Sequence, residues 1–197
     1  MPRSSGSLKV GISGAACLLF AFSLLILPLR WIMAALAAAI VHEACHALAV
    51  ILCGGKLQSV IVGREGAVMT ASPMTQGREL ICTLAGPVGS GLMILTMPWV
   101  PRVAFCSAVH CVYNLLPIYP LDGGRAVRCA TDKLSPRIQE RVCLLTENIC
   151  LVGILLAAIY LAFWKDLGWT PLILAGAVAI RAKSANSPCK AADLRLQ

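Results

Sequence analysis

Apolar residues fall into long blocks separated by short polar joints. Blocks at 10–29, 31–53, 80–100, 103–116 and 142–164 are ended by single charges such as Arg30, Glu79, Arg102 and Lys165. A bilayer's hydrocarbon core of about 30 Å takes about 20 helical residues to cross, so most of these blocks are long enough to span. A final block at 167–180 has 14 residues, short for a crossing, yet making it re-entrant would export Arg181, Lys183, Lys190 and Arg195. It is therefore kept as a sixth span. Between the second and third spans, residues 54–79 change character. "SVIV" and "AVMT" flank "GREG", and the β-prone pieces with glycine punctuation predict a hairpin-like excursion at the membrane surface. In the fourth block, "NLLPIYPLDGGR" (114–125) carries Pro117 and Pro120, which must interrupt a helix. The pattern predicts an all-α polytopic membrane protein of about six transmembrane helices, with a small β-hairpin-like excursion between spans two and three.

Composition supports that reading. The chain of 197 residues is 58% hydrophobic and 13% charged, with a mean hydropathy of +0.80; soluble domains carry about 25% charged residues. The net charge of +8 does not point to nucleic acid, because the basic residues are dispersed between apolar blocks. Under the six-span plan 14 of the 17 Lys and Arg fall on one side, the distribution of a positive-inside topology. Both termini are then cytoplasmic. The opening "MPRSSGSLKV" before an apolar run resembles a signal peptide, but with no small-residue cleavage site it reads as a retained first span. The ten cysteines lie mostly inside apolar runs without a Cys-x-x-Cys pair, and read as small buried hydrophobes in a reducing compartment. The length fits a single membrane-embedded domain over 1–197.

One stretch breaks the economy of the second span. "HEACH" (42–46) places two histidines and a carboxylate inside an apolar helix, each costing about 2–3 kcal/mol or more in hydrocarbon. On a helix His42 and His46 lie one turn apart and about 40° apart around the axis, so both imidazoles can reach one ion. Neutral imidazole nitrogens suit Zn²⁺, and Glu43 between them can take a proton from a water that the metal has acidified. Polar packing without a ligand is the competing explanation, and the number of groups at this spacing weighs against it. Cys45 points off the His42/His46 face and reads as packing.

A hydrolytic zinc site calls for a third protein ligand. The candidates are Asp122, Glu147 and His110. Asp122 follows the proline-broken end of span four, where Gly123 and Gly124 let the chain pass close to a neighbour, and it is the best placed; its alternative is an N-cap on "GGRAVRCA". Glu147 sits about two turns inside span five, where snorkelling or pairing with an Arg is the simpler role. His110, three turns before Asp122, reads as core packing.

Taken together, "HEACH" in a second span, "LAGPVGSG" (84–91) in a third and "NLLPIYPLDGG" (114–124) ending a fourth resemble the signatures of the site-2 protease family of intramembrane zinc metalloproteases. The small six-span plan resembles the branch of stage IV sporulation protein FB, which processes a membrane-tethered sigma-factor precursor. The resemblance covers a catalytic core of about 31–131. It implies one Zn²⁺ held by His42, His46 and Asp122, with Glu43 as catalytic base. It also implies that the stretch from Asn114 through Pro117 and the 54–79 excursion admit and hold substrate. Asn114 can donate a hydrogen bond to the scissile carbonyl or a substrate backbone, or simply bond between helices. Ser90 stands where the family's third-span signature usually has Asn, so no catalytic role is carried onto "AGPVGSG", which reads as small-residue packing. No room is left for a PDZ or CBS domain.

The expected function is hydrolysis of a peptide bond within or near a transmembrane segment of a membrane-tethered protein. The partners are then that substrate, the lipid bilayer and a membrane regulatory protein, with the active site towards the cytoplasmic side of a cell membrane. A non-proteolytic zinc-binding protein or transporter is the rival reading. A transporter needs polar groups along a path through the bilayer, and here they cluster in one half.

Overall fold

The computed structural model describes residues 9–63, 66–165 and 168–185. These divide into two compact units, Met1–Tyr113 and Asn114–Gln197.

In the first unit, β1 (Lys9–Ile12) leads into helix α1 (Gly14–Ile26). The N-cap is Ser13, whose hydroxyl accepts from the Ala16 N–H at 3.2 Å. Helix α2 (Leu29–Leu52) follows, then strands β2 (Leu57–Gly63) and β3 (Gly66–Ala71), helix α3 (Gln76–Leu92) with a 3-10 turn over Met93–Thr96, and helix α4 (Pro101–Leu115). The expected hairpin is present, with β2 and β3 antiparallel and Val60 opposite Met69. It belongs to a three-stranded sheet, because β1 pairs parallel to β2 in the register Val10 to Val60.

That corrects the first span. Residues 10–12 were expected to open a transmembrane helix, but Val10 and Ile12 alternate with small residues and their backbone completes the sheet. The ladder continues into a 2.8 Å bond from the Ser13 N–H to the Val62 carbonyl. What remains as α1 is 13 residues, about 20 Å at 1.5 Å per residue.

The turn from α2 to the sheet is a Schellman motif. Gly54 has φ +76°, its N–H bonds the Ile51 carbonyl at 2.9 Å, and the Gly55 N–H bonds the Val50 carbonyl at 2.8 Å. A left-handed residue at this place is typically glycine because a Cβ would meet the following carbonyl. Below the turn, Ala49, Val50 and Cys82 form a buried cluster with Leu57, Ala71 and Met74 against it. The hairpin's base is thereby fixed to both α2 and α3.

Helices α2 and α3 form the packed centre of this unit. Pro87 is inside α3 and buried; it lacks an N–H for the Thr83 carbonyl, yet the helix runs through it. On α4, Ala104 and Ser107 are fully buried, and Phe105 meets Trp31 of α2 edge-on with ring centroids 5.9 Å apart.

The second unit opens with the last two residues of α4 and the turn containing a cis Tyr119–Pro120 bond. Helices α5 (Asp122–Ala130), α6 (Pro136–Trp164) and α7 (Thr170–Ala185) follow. Pro136 sits at the first position of α6, where its missing N–H costs nothing. Gln139 donates to the Arg128 carbonyl at 2.8 Å, tying the start of α6 to the end of α5. The Arg128 guanidinium lies 4.9 Å from the Tyr119 ring centre, a cation–π contact.

Among the described residues, three helices are long and apolar enough to cross a membrane: Leu29–Leu52, Gln76–Thr96 and Pro136–Trp164. α1, α4 and α7 are shorter than the about 20 residues of a simple crossing. Large side chains such as Leu25, Leu52, Leu95 and Trp164 stand exposed. Such a surface suits lipid and would be an aggregation hazard in water.

Candidate metal centre

"HEACH" lies in the second half of α2, all within one continuous helix. His42 is 2% exposed and His46 half-buried, with ring centroids 4.7 Å apart and planes at 84°. Their Nε2 atoms face each other at 3.1 Å. Two nitrogens bound at ~2.0–2.1 Å to one tetrahedral ion lie about 3.3 Å apart, so the pair is spaced to share a metal.

The other nitrogen of each ring is held by α3. His46 Nδ1 is 2.7 Å from the Cys82 carbonyl oxygen. A carbonyl cannot donate, so Nδ1 carries the proton and the neutral ring presents its Nε2 lone pair. His42 Nδ1 is 2.9 Å from the Ser90 hydroxyl, and Ser90 is fully buried.

Small residues let α3 come this close. A Cβ placed on Gly86 would overlap the His46 imidazole, and one on Gly89 would overlap the Cys45 sulfur. Thus Cys45 packs on α3, the same helix that contacts both histidines. Cys82, Gly86 and Ser90 recur every four residues and share a face, with Ser90 beside His42 and Cys82 beside His46. The two helices therefore run antiparallel.

Glu43 is half-buried, about 100° around α2 from His42 and about 60° from His46. Asn114 is in the last turn of α4 and Pro117 in the turn beyond it, both half-buried.

In the second unit Asp122 is buried. It does not cap α5: Leu121 is the N-cap residue, and Asp122 is the first residue of the helix itself. Its carboxylate thus lies in the first turn, where the helix dipole favours negative charge. Gly123 and Gly124 admit no side chain. A Cβ on Gly123 would fall on the Leu115 and Leu116 carbonyls, and one on Gly124 on the Ile118–Tyr119 backbone.

Three expectations change. Glu147 is buried, at 8% exposed, which does not fit snorkelling and leaves pairing as its simpler role. His110 is more than distant core packing, since its ring meets that of His42 edge-on at 4.5 Å. It also lines a cavity of about 250 Å³ with Ala35, Phe105, Cys106, Val109 and Tyr113. Ser90 was assigned packing alone and proves to touch a site histidine. The signal available was its four-residue spacing from Gly86 and Cys82. None of the described cysteines forms a disulfide.

Comparison with known proteins bears on this geometry. Residues 15–120, more than half the chain, match the family model described as peptidase M50B-like. The chain belongs to the peptidase M50B-like family. The matched region contains α2 with its histidine pair, strands β2 and β3, α3, α4 and the prolines at 117 and 120. Among solved structures, the chain is similar to the site-2 protease from Methanocaldococcus jannaschii, with a TM-score of 0.58 and 16% identity, covering 95% of this chain and 94% of that one. The likeness is one of fold. No curated protein matches the chain. The M50B-like membership together with the apolar helices makes this a membrane metalloprotease.

Proposed function

We propose that this M50B-like protein is an intramembrane zinc endopeptidase that cuts a membrane-tethered protein within or near its transmembrane segment. The observation that carries the reading is the pair of Nε2 atoms 3.1 Å apart, one of them with its lone pair fixed by the Cys82 carbonyl. His42 and His46 supply two ligands to one Zn²⁺, and Asp122, assigned on its sequence motif, supplies the third. When bound, zinc polarises the scissile carbonyl and lowers the pKa of a bound water to about 7.

Glu43, one residue from a ligand, takes the proton of the attacking water and delivers it to the leaving amine. Asn114 donates a hydrogen bond to the substrate backbone near the scissile carbonyl, and Pro117 keeps the following turn from closing into helix. A helical substrate hides its carbonyls and must unwind to be cut. An edge of the β1–β2–β3 sheet offers backbone partners to the extended strand so produced.

The topology that goes with this reading has six crossings, both termini in the cytoplasm and the site towards the cytoplasmic half of a cell membrane. The basic residues support it by their distribution. By resemblance to the sporulation branch, the substrate is a regulatory protein such as a tethered sigma-factor precursor, met together with a membrane regulator. Purified protein reconstituted in vesicles with candidate single-span substrates tests the reading. Cleavage products mapped inside or beside the span, lost on zinc chelation and restored by zinc, are expected; chelation without effect on cleavage would refute it.

A further inference from the structure

We propose that Ser90 is a positioning residue that supports His42 in either tautomer, its hydroxyl accepting from the imidazole Nδ1–H when a metal is bound so that Nε2 presents a lone pair beside that of His46. The assignment rests on the metal-binding reading above. It starts from a difference between the two histidine anchors. His46 is held by the Cys82 carbonyl at 2.7 Å, an acceptor only, so its tautomer is fixed with or without a ligand. His42 is held by a hydroxyl at 2.9 Å, which can donate or accept.

This asymmetry matters because the Nε2 atoms are 3.1 Å apart. Two lone pairs facing at that distance repel when no cation lies between them. With no metal, His42 relieves this by carrying its proton on Nε2 and donating to His46, while the Ser90 hydroxyl rotates to donate to Nδ1. With a metal, the His42 proton sits on Nδ1 and the same hydroxyl accepts it. Each arrangement gives His42 Nδ1 a partner in the Ser90 hydroxyl. A carbonyl in place of Ser90 would forbid the metal-free arrangement, and an apolar side chain would support neither. Burial makes the role strict: with Ser90 fully buried and His42 2% exposed, water is a poor substitute. Hydrogen-bond partners of metal-ligating histidines are typically worth 10–100-fold in metal affinity.

The test uses Ser90→Thr and Ser90→Val, which have nearly the same bulk and differ in the hydroxyl. Ser107→Ala removes another fully buried hydroxyl from the same unit and serves as control. Zinc affinity of the full-length chain, measured by chelator competition, should fall about 10–100-fold in the Val variant relative to the Thr variant and stay at the wild-type value in Ser107→Ala. Nitrogen-15 histidine spectra of wild-type protein should place the His42 proton on Nε2 without zinc and on Nδ1 with it. Equal zinc affinity in the Thr and Val variants overturns the role of Ser90 while leaving the zinc site standing. A wild-type chain that binds no zinc overturns the zinc reading, and the Ser90 role with it.

Discussion

His46 donates its Nδ1 proton to the Cys82 carbonyl at 2.7 Å, so a backbone atom of α3 determines which nitrogen of an α2 histidine is open to a ligand. The metal-facing geometry of the second helix is thus written in the third. It holds only while α3 can approach closely.

Gly86 is the point of approach, and Gly86→Ala tests it. A Cβ there overlaps the His46 ring, which must rotate or the helices must separate. Overpacking of this kind costs about 1–3 kcal/mol of stability. Zinc affinity should drop at least tenfold, as expected when the partner bond of a ligand is broken. Chelator competition on the purified variant reads it directly.

Gly54 controls the exit from α2 to the sheet. With φ at +76°, Gly54→Ala should cost about 1–2 kcal/mol, and Gly54→Asn less, since Asn tolerates the left-handed region. Thermal unfolding in detergent should rank the three as Gly, Asn, Ala from most to least stable.

Ser107 runs the other way. Its hydroxyl is the buried side-chain oxygen that, among the described residues, has no hydrogen-bond partner. Leaving such a group unsatisfied costs free energy, so Ser107→Ala should leave the unfolding temperature unchanged or raise it by the equivalent of up to about 1 kcal/mol. A fall in unfolding temperature would mean that the hydroxyl has a partner.

Asp122→Asn keeps the size of the side chain and removes its charge. If Asp122 is the third ligand, bound zinc should fall well below one per chain after dialysis against a weak chelator, with folding retained. Unchanged zinc content would move the third ligand elsewhere, with buried Glu147 the first residue to examine.

Much of this was legible in the chain. The "HEACH" spacing alone puts two imidazoles on one helical face, and the "GREG" punctuation marks the hairpin correctly. The parallel strand β1 was hidden because Val10 and Ile12 extend an apolar run and count equally well towards a helix; only pairing with Val60 and Val62 shows their role. The start of α5 was ambiguous for a similar reason, since Asp suits both an N-cap and a first turn, and the extended backbone of Leu121 makes that residue the cap. The tie between Ser90 and His42 joins residues 48 apart in sequence, a relationship no local pattern encodes. The contact of His110 with His42 was missed for the same reason.

If His42, Glu43 and His46 form a peptide-hydrolysing zinc site, Glu43→Gln separates hydrolysis from metal binding. Wild-type and variant chains, each confirmed to hold one zinc, are reconstituted with the same membrane-tethered substrate and the cleavage rate is measured. The predicted result is a loss of at least about 100-fold in the variant, the scale of general acid–base catalysis, with zinc content unchanged. Cleavage by the zinc-loaded Glu43→Gln chain at the wild-type rate would mean that Glu43 is not the base and that the site does not hydrolyse peptides in this way.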